Sequence, residues 1–291
     1  MPLNEKDIDK VLQQVKENTR TDCIDIKTKI CRYRLPITCS KFGGFPYWPK
    51  DKLDTYPVSD RGLALTLLAQ INLADLPEND VFPKQGMLQF FLYDLMDVDN
   101  YKVVLHENIT EPADFIGGKP AIPTSLTPNE AEITLPSGEK KIASNSWWGK
   151  EFPITGEFAL EFSKRDDFVN PTEARFNAEF DKAAEQLGIS IPDGFDAEAD
   201  LSNEIINSFY EYGGGHKLLG RPCFVQGDIR YQDDVTKMLL FQIDSAWPQS
   251  GREDDCHFIN FGDAGTAGFF IEKDDLAQLN FSNVIYDWQC C

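Results

Sequence analysis

Ile8, Val11, Leu12 and Val15 stand at i, i+3, i+4 and i+7, one apolar stripe behind an Asn4 that can cap it, so a helix is expected over 4–18. From Cys23 the period shortens to two. Ile24, Ile26 and Ile30 alternate with polar residues and predict a strand. Further strands are expected at 65–71, 86–93, 101–106, 158–162, 238–243, 268–271 and 284–288. The stretch Ser40-Lys-Phe-Gly-Gly-Phe-Pro-Tyr-Trp-Pro49, punctuated by Gly43, Gly44 and Pro46, reads as a loop. Residues 111–153, with many Pro, Gly and Ser, read as long loops with short strands. Then Asn170, Pro171 and Glu173 form a capping-box start to a helix whose buried face carries Phe176, Phe180, Ala184 and Leu187, and Gly188 ends it. A second helix is expected from about 202 to 210, stopped by Gly213-Gly-Gly215.

The pattern recurs within the chain. Lys41-Phe-Gly-Gly44-Phe-Pro46 matches Lys217-Leu-Leu-Gly220-Arg-Pro222. Leu67-Leu-Ala-Gln70-Ile71-Asn72 matches Leu239-Leu-Phe-Gln242-Ile243-Asp244, and Gly86-Met-Leu-Gln89-Phe90-Phe91-Leu92 matches Gly265-Thr-Ala-Gly-Phe269-Phe270-Ile271. Three matches in the same order predict an internal duplication. The expected fold is therefore α+β: antiparallel sheets from two repeats in a single domain over 1–291, with an N-terminal helix at 4–18 and an inserted helical segment. The halves are expected at about 23–165 and 213–291, with the insert at about 170–212.

A glutamine in an apolar strand must satisfy its amide. Two roles are open for Gln70 and Gln242: tying a neighbouring loop backbone, or lining a crevice between the repeats together with Asn72, Gln89, Asp244 and Asp263. Gly43, Gly44, Pro46, Gly220, Pro222 and Gly265 are assigned to structural loops.

Charge narrows the partners. The chain of 291 residues has 28 Lys and Arg against 48 Asp and Glu, a net charge of −20. Phosphate backbones are repelled by such a surface, so no nucleic-acid partner is expected, whereas a basic protein is. Between Glu157 and Glu211 stand 14 acidic and four basic residues, so half of the net charge falls in this one segment. It is read either as a solvated helical face or as a surface for that basic partner. No apolar run approaches a membrane span, and the opening MPLNEKDIDK has no leader character. With seven cysteines, an odd number, reduced thiols and a cytoplasmic location are expected.

Motifs for chemistry are sparse. No Cys-x-x-Cys or His-Glu-x-x-His occurs; His216, Cys223, Cys256 and His257 are the one group that could converge, and no metal is expected. Gly213-Gly-Gly-His-Lys217 lacks the spacing and hydroxyl of a nucleotide loop, so no cofactor is expected. Asp94, Asp97 and Asp99 cluster without the glycine and distal glutamate of a calcium loop. Trp147-Trp148 reads as a core plug before an exposed tip, and the vicinal pair Cys290-Cys291 as reduced thiols.

Ser40-Lys-Phe-Gly-Gly-Phe-Pro46, Leu67-Leu-Ala-Gln-Ile-Asn-Leu-Ala-Asp-Leu-Pro77, His216-Lys-Leu-Leu-Gly-Arg-Pro222, Gly262-Asp-Ala-Gly265 and the closing Asp287-Trp-Gln-Cys-Cys291 together resemble the YwqG-like family, of bacterial type and unknown function. The resemblance runs from about Cys31 to Cys291 and departs from the family pattern between Ser245 and Asn260. It brings no catalytic residues. Its members occur near contact-dependent toxin and immunity genes, which implies a role in binding another protein. The leading expectation is a non-catalytic, immunity-like binding protein with an acidic surface. The alternative is a small-molecule enzyme or sensor with its site between the repeats.

Overall fold

The computed structural model describes residues 3–31, 34–62, 64–113, 125–127, 130–134, 140–144, 152–202, 205, 209, 213–230, 237–247 and 258–290, those from 125 to 144 by backbone alone. Helix α1 is Glu5–Thr19, and the Asn4 side chain accepts from the Asp7 amide at 3.0 Å as its cap. Strands β1 (Thr21–Cys31), β2 (Lys41–Phe42), β3 (Thr66–Asn72), β4 (Met87–Leu92) and β5 (Tyr101–His106) follow. Strands β6 (Ser125–Thr127), β7 (Glu130–Thr134) and β8 (Lys140–Ser144) form a separate antiparallel sheet. Strand β9 (Ile154–Thr155) leads into the long β10 (Glu157–Asp167). Helices α2 (Phe176–Leu187) and α3 (Ala197–Asp200) come next. The chain then returns to strands β11 (His216–Leu219), β12 (Lys237–Asp244), β13 (Phe258–Ile259), β14 (Thr266–Glu272) and β15 (Ile285–Gln289), with helix α4 (Lys273–Ala277) before the last.

Ten strands make one antiparallel sheet in the order β15-β14-β12-β11-β1-β10-β2-β3-β4-β5. The 11-residue pair β1 and β10 lies at its centre, in register from Thr21 opposite Asp167 to Cys31 opposite Glu157. The first strand of the chain does not pair with β2. It pairs with β11, and β10 pairs with β2. The two flanks behave alike. Lys41 stands opposite Gln70 and Lys217 opposite Gln242. Both β3 and β12 carry a register shift against the next strand, between Leu67 and Ala69 and between Leu239 and Phe241.

The sheet curls until its two edges nearly meet. Tyr101 of β5 donates its hydroxyl to the Val284 carbonyl at 2.7 Å and packs its ring on Tyr286 of β15, centroids 5.5 Å apart. Alternation sends Phe90, Phe241 and Phe269 into the enclosed core, with Phe90 4.6 Å from Phe241 and 4.9 Å from Phe269 between ring centroids. Their neighbours Phe91 and Phe270 point the other way, into two smaller clusters under the loops, with Trp48 and Tyr56 in one and Phe224 in the other. A third cluster joins α1 to α2 through Val11, Val15, Phe176 and Phe180.

Several expectations need correction. The capping-box contacts exist, with the Asn170 amide donating to Glu173 Oε1 at 3.4 Å, but they close a turn ahead of the helix, which begins at Phe176. Leu187 is 40 % exposed, and Ala183 takes its place on the buried face. Gly188, at φ 65°, does end that helix. Lys41–Phe42 is a strand within the stretch read as a loop, and β10 runs five residues past the expected end at Phe162. The helix expected at 202–210 falls largely outside the described residues.

Candidate functional site

Gln70 and Gln89 are fully buried neighbours on β3 and β4. Gln70 accepts from the Tyr47 amide at 2.6 Å and donates to the carbonyls of Ile37 and Cys39 at 2.8 and 2.9 Å. Gln89 donates to Gln70 Oε1 and to the Tyr47 carbonyl, and its own Oε1 accepts from His106 Nε2 at 3.1 Å. Apart from the Gln89–His106 contact between strands, these bonds hold the 37–47 loop against the sheet. Burial, with Lys52 adding to it, pushes the His106 imidazole down to about 4, so it stands neutral as the donor this contact requires.

The other flank repeats the arrangement. Gln242 accepts from the Cys223 amide at 2.8 Å and donates to the carbonyls of Gly213 and Gly215 at 3.1 and 3.0 Å. Where Gln89 would stand, β14 has Gly268. Asp244 accepts from the Gly215 amide, and its own amide donates to His216 Nδ1 at 3.0 Å. Burial holds His216 at about 4, again neutral. Asn72 is the counterpart of Asp244: its amide donates to Ser40 Oγ at 2.9 Å.

The two buried lysines differ. Lys217 donates to Asp167 Oδ2 at 2.9 Å and to the Gly213 carbonyl at 2.7 Å, with both side chains of the ion pair fully buried. Lys41 is equally buried, yet its Nζ has no hydrogen-bond partner. Burial pushes its amine below the usual lysine range, against the pull of Glu157. Beside Lys217 lies a second buried ionic group. Arg230 contacts Glu173 at 2.9 Å and Asp228 at 2.7 Å, while Arg221 reaches Glu173 only at 3.9 Å. Burial pushes the Glu173 carboxyl up, and Arg221 and Arg230 pull it back.

The residues read from the sequence as a crevice are therefore spread over two loop tethers, Gln70, Asn72 and Gln89 in one, Gln242 and Asp244 in the other. Asp263 is exposed on the turn before β14. Gly44 and Gly220 both hold a positive φ and leave no room for a side chain, against Glu157 and Asp167 respectively. Pro46 and Pro222 follow in the same loops, and Gly265 lies tight against the Gln289 and Phe261 carbonyls. Gly43 has its counterpart in Leu219, a non-glycine at φ 61°. Cys256, His257 and Trp147-Trp148 lie outside the described residues. Asp94 and Asp97 accept backbone amides of their own turn. Among the described residues no group of three or more His, Cys, Asp or Glu is placed to hold a metal ion, and no helix is long and apolar enough to cross a membrane.

Sequence reasoning missed the ionic residues Asp167, Glu173, Arg221, Asp228 and Arg230. Apolar periodicity cannot find them, because a buried charge is visible only once its partner is placed. Two cavities accompany the sheet. One, of about 440 Å³, lies between the start of β1, residues 79–81, Lys164 and the end of β11. The other, of about 660 Å³, runs along β5 between Trp48, Lys52, Lys102 and His106 on one side and Leu279 and Phe281 on the other.

The architecture defines a mixed α+β, β-rich protein built on a nearly closed antiparallel sheet. Residues 40–290 match the model of a domain of unknown function (DUF1963), and the chain belongs to that family. No curated protein matches it.

Proposed function

We propose that this chain is a non-catalytic binding protein of the cytoplasm, immunity-like, whose acidic face takes a basic protein partner. The observation that carries this reading is the concentration of charge on the helical segment. Asp181, Glu185, Asp193 and Asp200 are all exposed around α2 and α3, within the stretch that holds 14 acidic and four basic residues. A surface of that sign steers a basic partner in and selects against acidic ones. The buried glutamines and ionic groups are read as scaffold that holds this face on the sheet.

The sheet is read as the product of an internal duplication, β1–β5 answering to β10, β11, β12, β14 and β15, a division that moves β10 out of the first half expected at about 23–165 and into the second. The matched tethers of Gln70 and Gln242, the shared register shifts and the paired left-handed turns at Gly43-Gly44 and Leu219-Gly220 support it.

The test is native mass spectrometry of the protein purified at low salt from its host, repeated with the variant D181K/E185K/D193K. The expected result is a basic polypeptide at fixed stoichiometry, released on raising salt and absent from the variant. A bare chain at low salt, or a complex indifferent to both salt and charge reversal, overturns the reading.

A further inference from the structure

Past Tyr101 the seam of the sheet stays open. Strand β5 pairs with β4 alone. The Tyr93 amide donates to the Asn100 carbonyl at 2.9 Å, so by alternation the bonds to β4 fall on Lys102, Val104 and His106. The N–H and C=O groups of Val103 and Leu105 are therefore turned to the outer edge, where none of the described residues takes them up. In front of this edge lies the groove of about 660 Å³, with residues 51–57 and 279–282 as its other walls. A row of alternating donors and acceptors without a partner is a template for another strand.

The side chains around the groove are an unfinished apolar surface. Leu105 and Phe281 both line it and pack on the enclosed core, yet each stays half-buried. The turn Lys50–Thr55, which supplies one wall, buries none of its residues. Leu53 and Val58 on the segment of that wall, and Ile285 just past the opposite one, are exposed. Apolar exposure rimmed by charge marks a surface for protein. The charges set its sign. Asp51, Asp54, Asp99 and Glu107 stand exposed around the groove against Lys52 and Lys102, while Lys50 and Glu111 pair with each other at 2.8 Å.

We propose that the protein partner adds an extended segment to β5 as an eleventh strand, antiparallel like every pairing in the sheet. Apolar side chains at alternate positions of that segment cover Leu105 and Phe281, and Lys or Arg between them face Asp51 and Asp54. Antiparallel addition places the bonded residues of the segment opposite Val103 and Leu105, so their side chains share the core face. A second copy of this chain is the poorer occupant, since each copy carries a net charge of −20. The inference rests on the reading of this chain as a binder of a basic protein and supplies a main-chain contact for it, away from α2 and α3.

The probe is the N-acetylated, C-amidated peptide Lys-Val-Lys-Val-Lys-Val-Lys, titrated into the full chain and followed by calorimetry and amide exchange. Binding should saturate and should slow exchange at Val103 and Leu105 while α2 is unchanged. N-methylation of the peptide at its valines should weaken it at least about tenfold, and at its lysines far less, because the valine amides are the ones that face β5. Leu105→Pro removes an edge donor that β4 does not use, so the sheet persists and the peptide is lost. The methylated peptides decide the matter on the parent chain by themselves. No saturable binding up to about 1 mM, equal loss from both methylations, or undiminished binding to Leu105→Pro overturns the proposal. So does a dimer of the free chain that Leu105→Pro disperses, which makes a second copy the occupant. The two readings fail separately. A native basic partner that still binds Leu105→Pro sinks the added strand alone, and a peptide held on β5 by a chain that captures no basic partner sinks only the reading beneath it.

Discussion

His106 and His216 are both buried as neutral imidazoles, one donating to Gln89 and the other accepting from the Asp244 amide. Burial lowers both to about 4 from the ordinary 6.5. The depressed pKa fixes the sign: the stability they contribute is complete above about pH 6.5 and is lost as pH falls toward 4. Each contributes a slope of about 1.4 kcal/mol per pH unit within that window. The buried carboxyl of Glu173 and the half-buried ones of Asp244 and Asp287 are pushed up and act in the opposite sense near its lower end. Urea midpoints measured between pH 7 and 4 should therefore fall less steeply for His106→Gln and His216→Gln than for the parent chain. Equal slopes would mean that neither imidazole is held neutral. Cys23 and Cys223 follow the same physics, with burial raising both thiols to about 11 and leaving them poor nucleophiles in the folded chain.

At the scale of elements, the loops depend on the strands through single side chains. Gln70→Ala would strand the Tyr47 amide and the Ile37 and Cys39 carbonyls, and Gln242→Ala would do the same to the Cys223 amide and the Gly215 carbonyl, while Gly213 keeps its bond from Lys217. Each should cost about 2–4 kcal/mol in denaturant unfolding, from two or more buried groups left unpaired. Losses below about 0.5 kcal/mol, the level of a surface change, would show that water replaces the amide. The elements themselves were largely legible. Ile24, Ile26 and Ile30 marked β1, and Leu67 to Ile71 marked β3, because one face of each strand is apolar. The start of α2 was misread because Asn170, Pro171 and Glu173 satisfy a turn with the same contacts that open a helix. The two-residue β2 carries too few side chains to show any period. The tethering role of Gln70 was one of two readings the sequence left open, and only placed carbonyls distinguish them.

The whole molecule depends on an edge that almost closes. Long exposed edges invite pairing with other chains, and bringing β5 against β15 removes most of that hazard. The Tyr101 hydroxyl donates a hydrogen bond across the seam at 2.7 Å. Tyr101→Phe keeps the ring contacts with Phe269 and Tyr286 and removes only this bond, at about 1 kcal/mol. Amide exchange should then accelerate in β5 and in residues 284–289 while the β1 and β10 pair keeps its protection. Uniform acceleration would instead mean that the seam opens only with the entire sheet. None of this closure was visible in the sequence, since alternation tells which face is apolar but not how far a sheet curves.

The exchange of partners at the centre of the sheet has its own consequence. Because β1 lies against β11 and β10 against β2, each flank is bordered by a strand that belongs, in chain order, to the other. The two are interlocked rather than merely adjacent. Neither flank can finish its hydrogen bonding until a segment some 116 or more residues away in the chain has arrived, a separation set by the pairing of Phe42 with Phe158 and of Cys23 with Leu219. Assembly is thus obliged to be late and collective, and a fault in the first strand of the chain reaches as far as its last third.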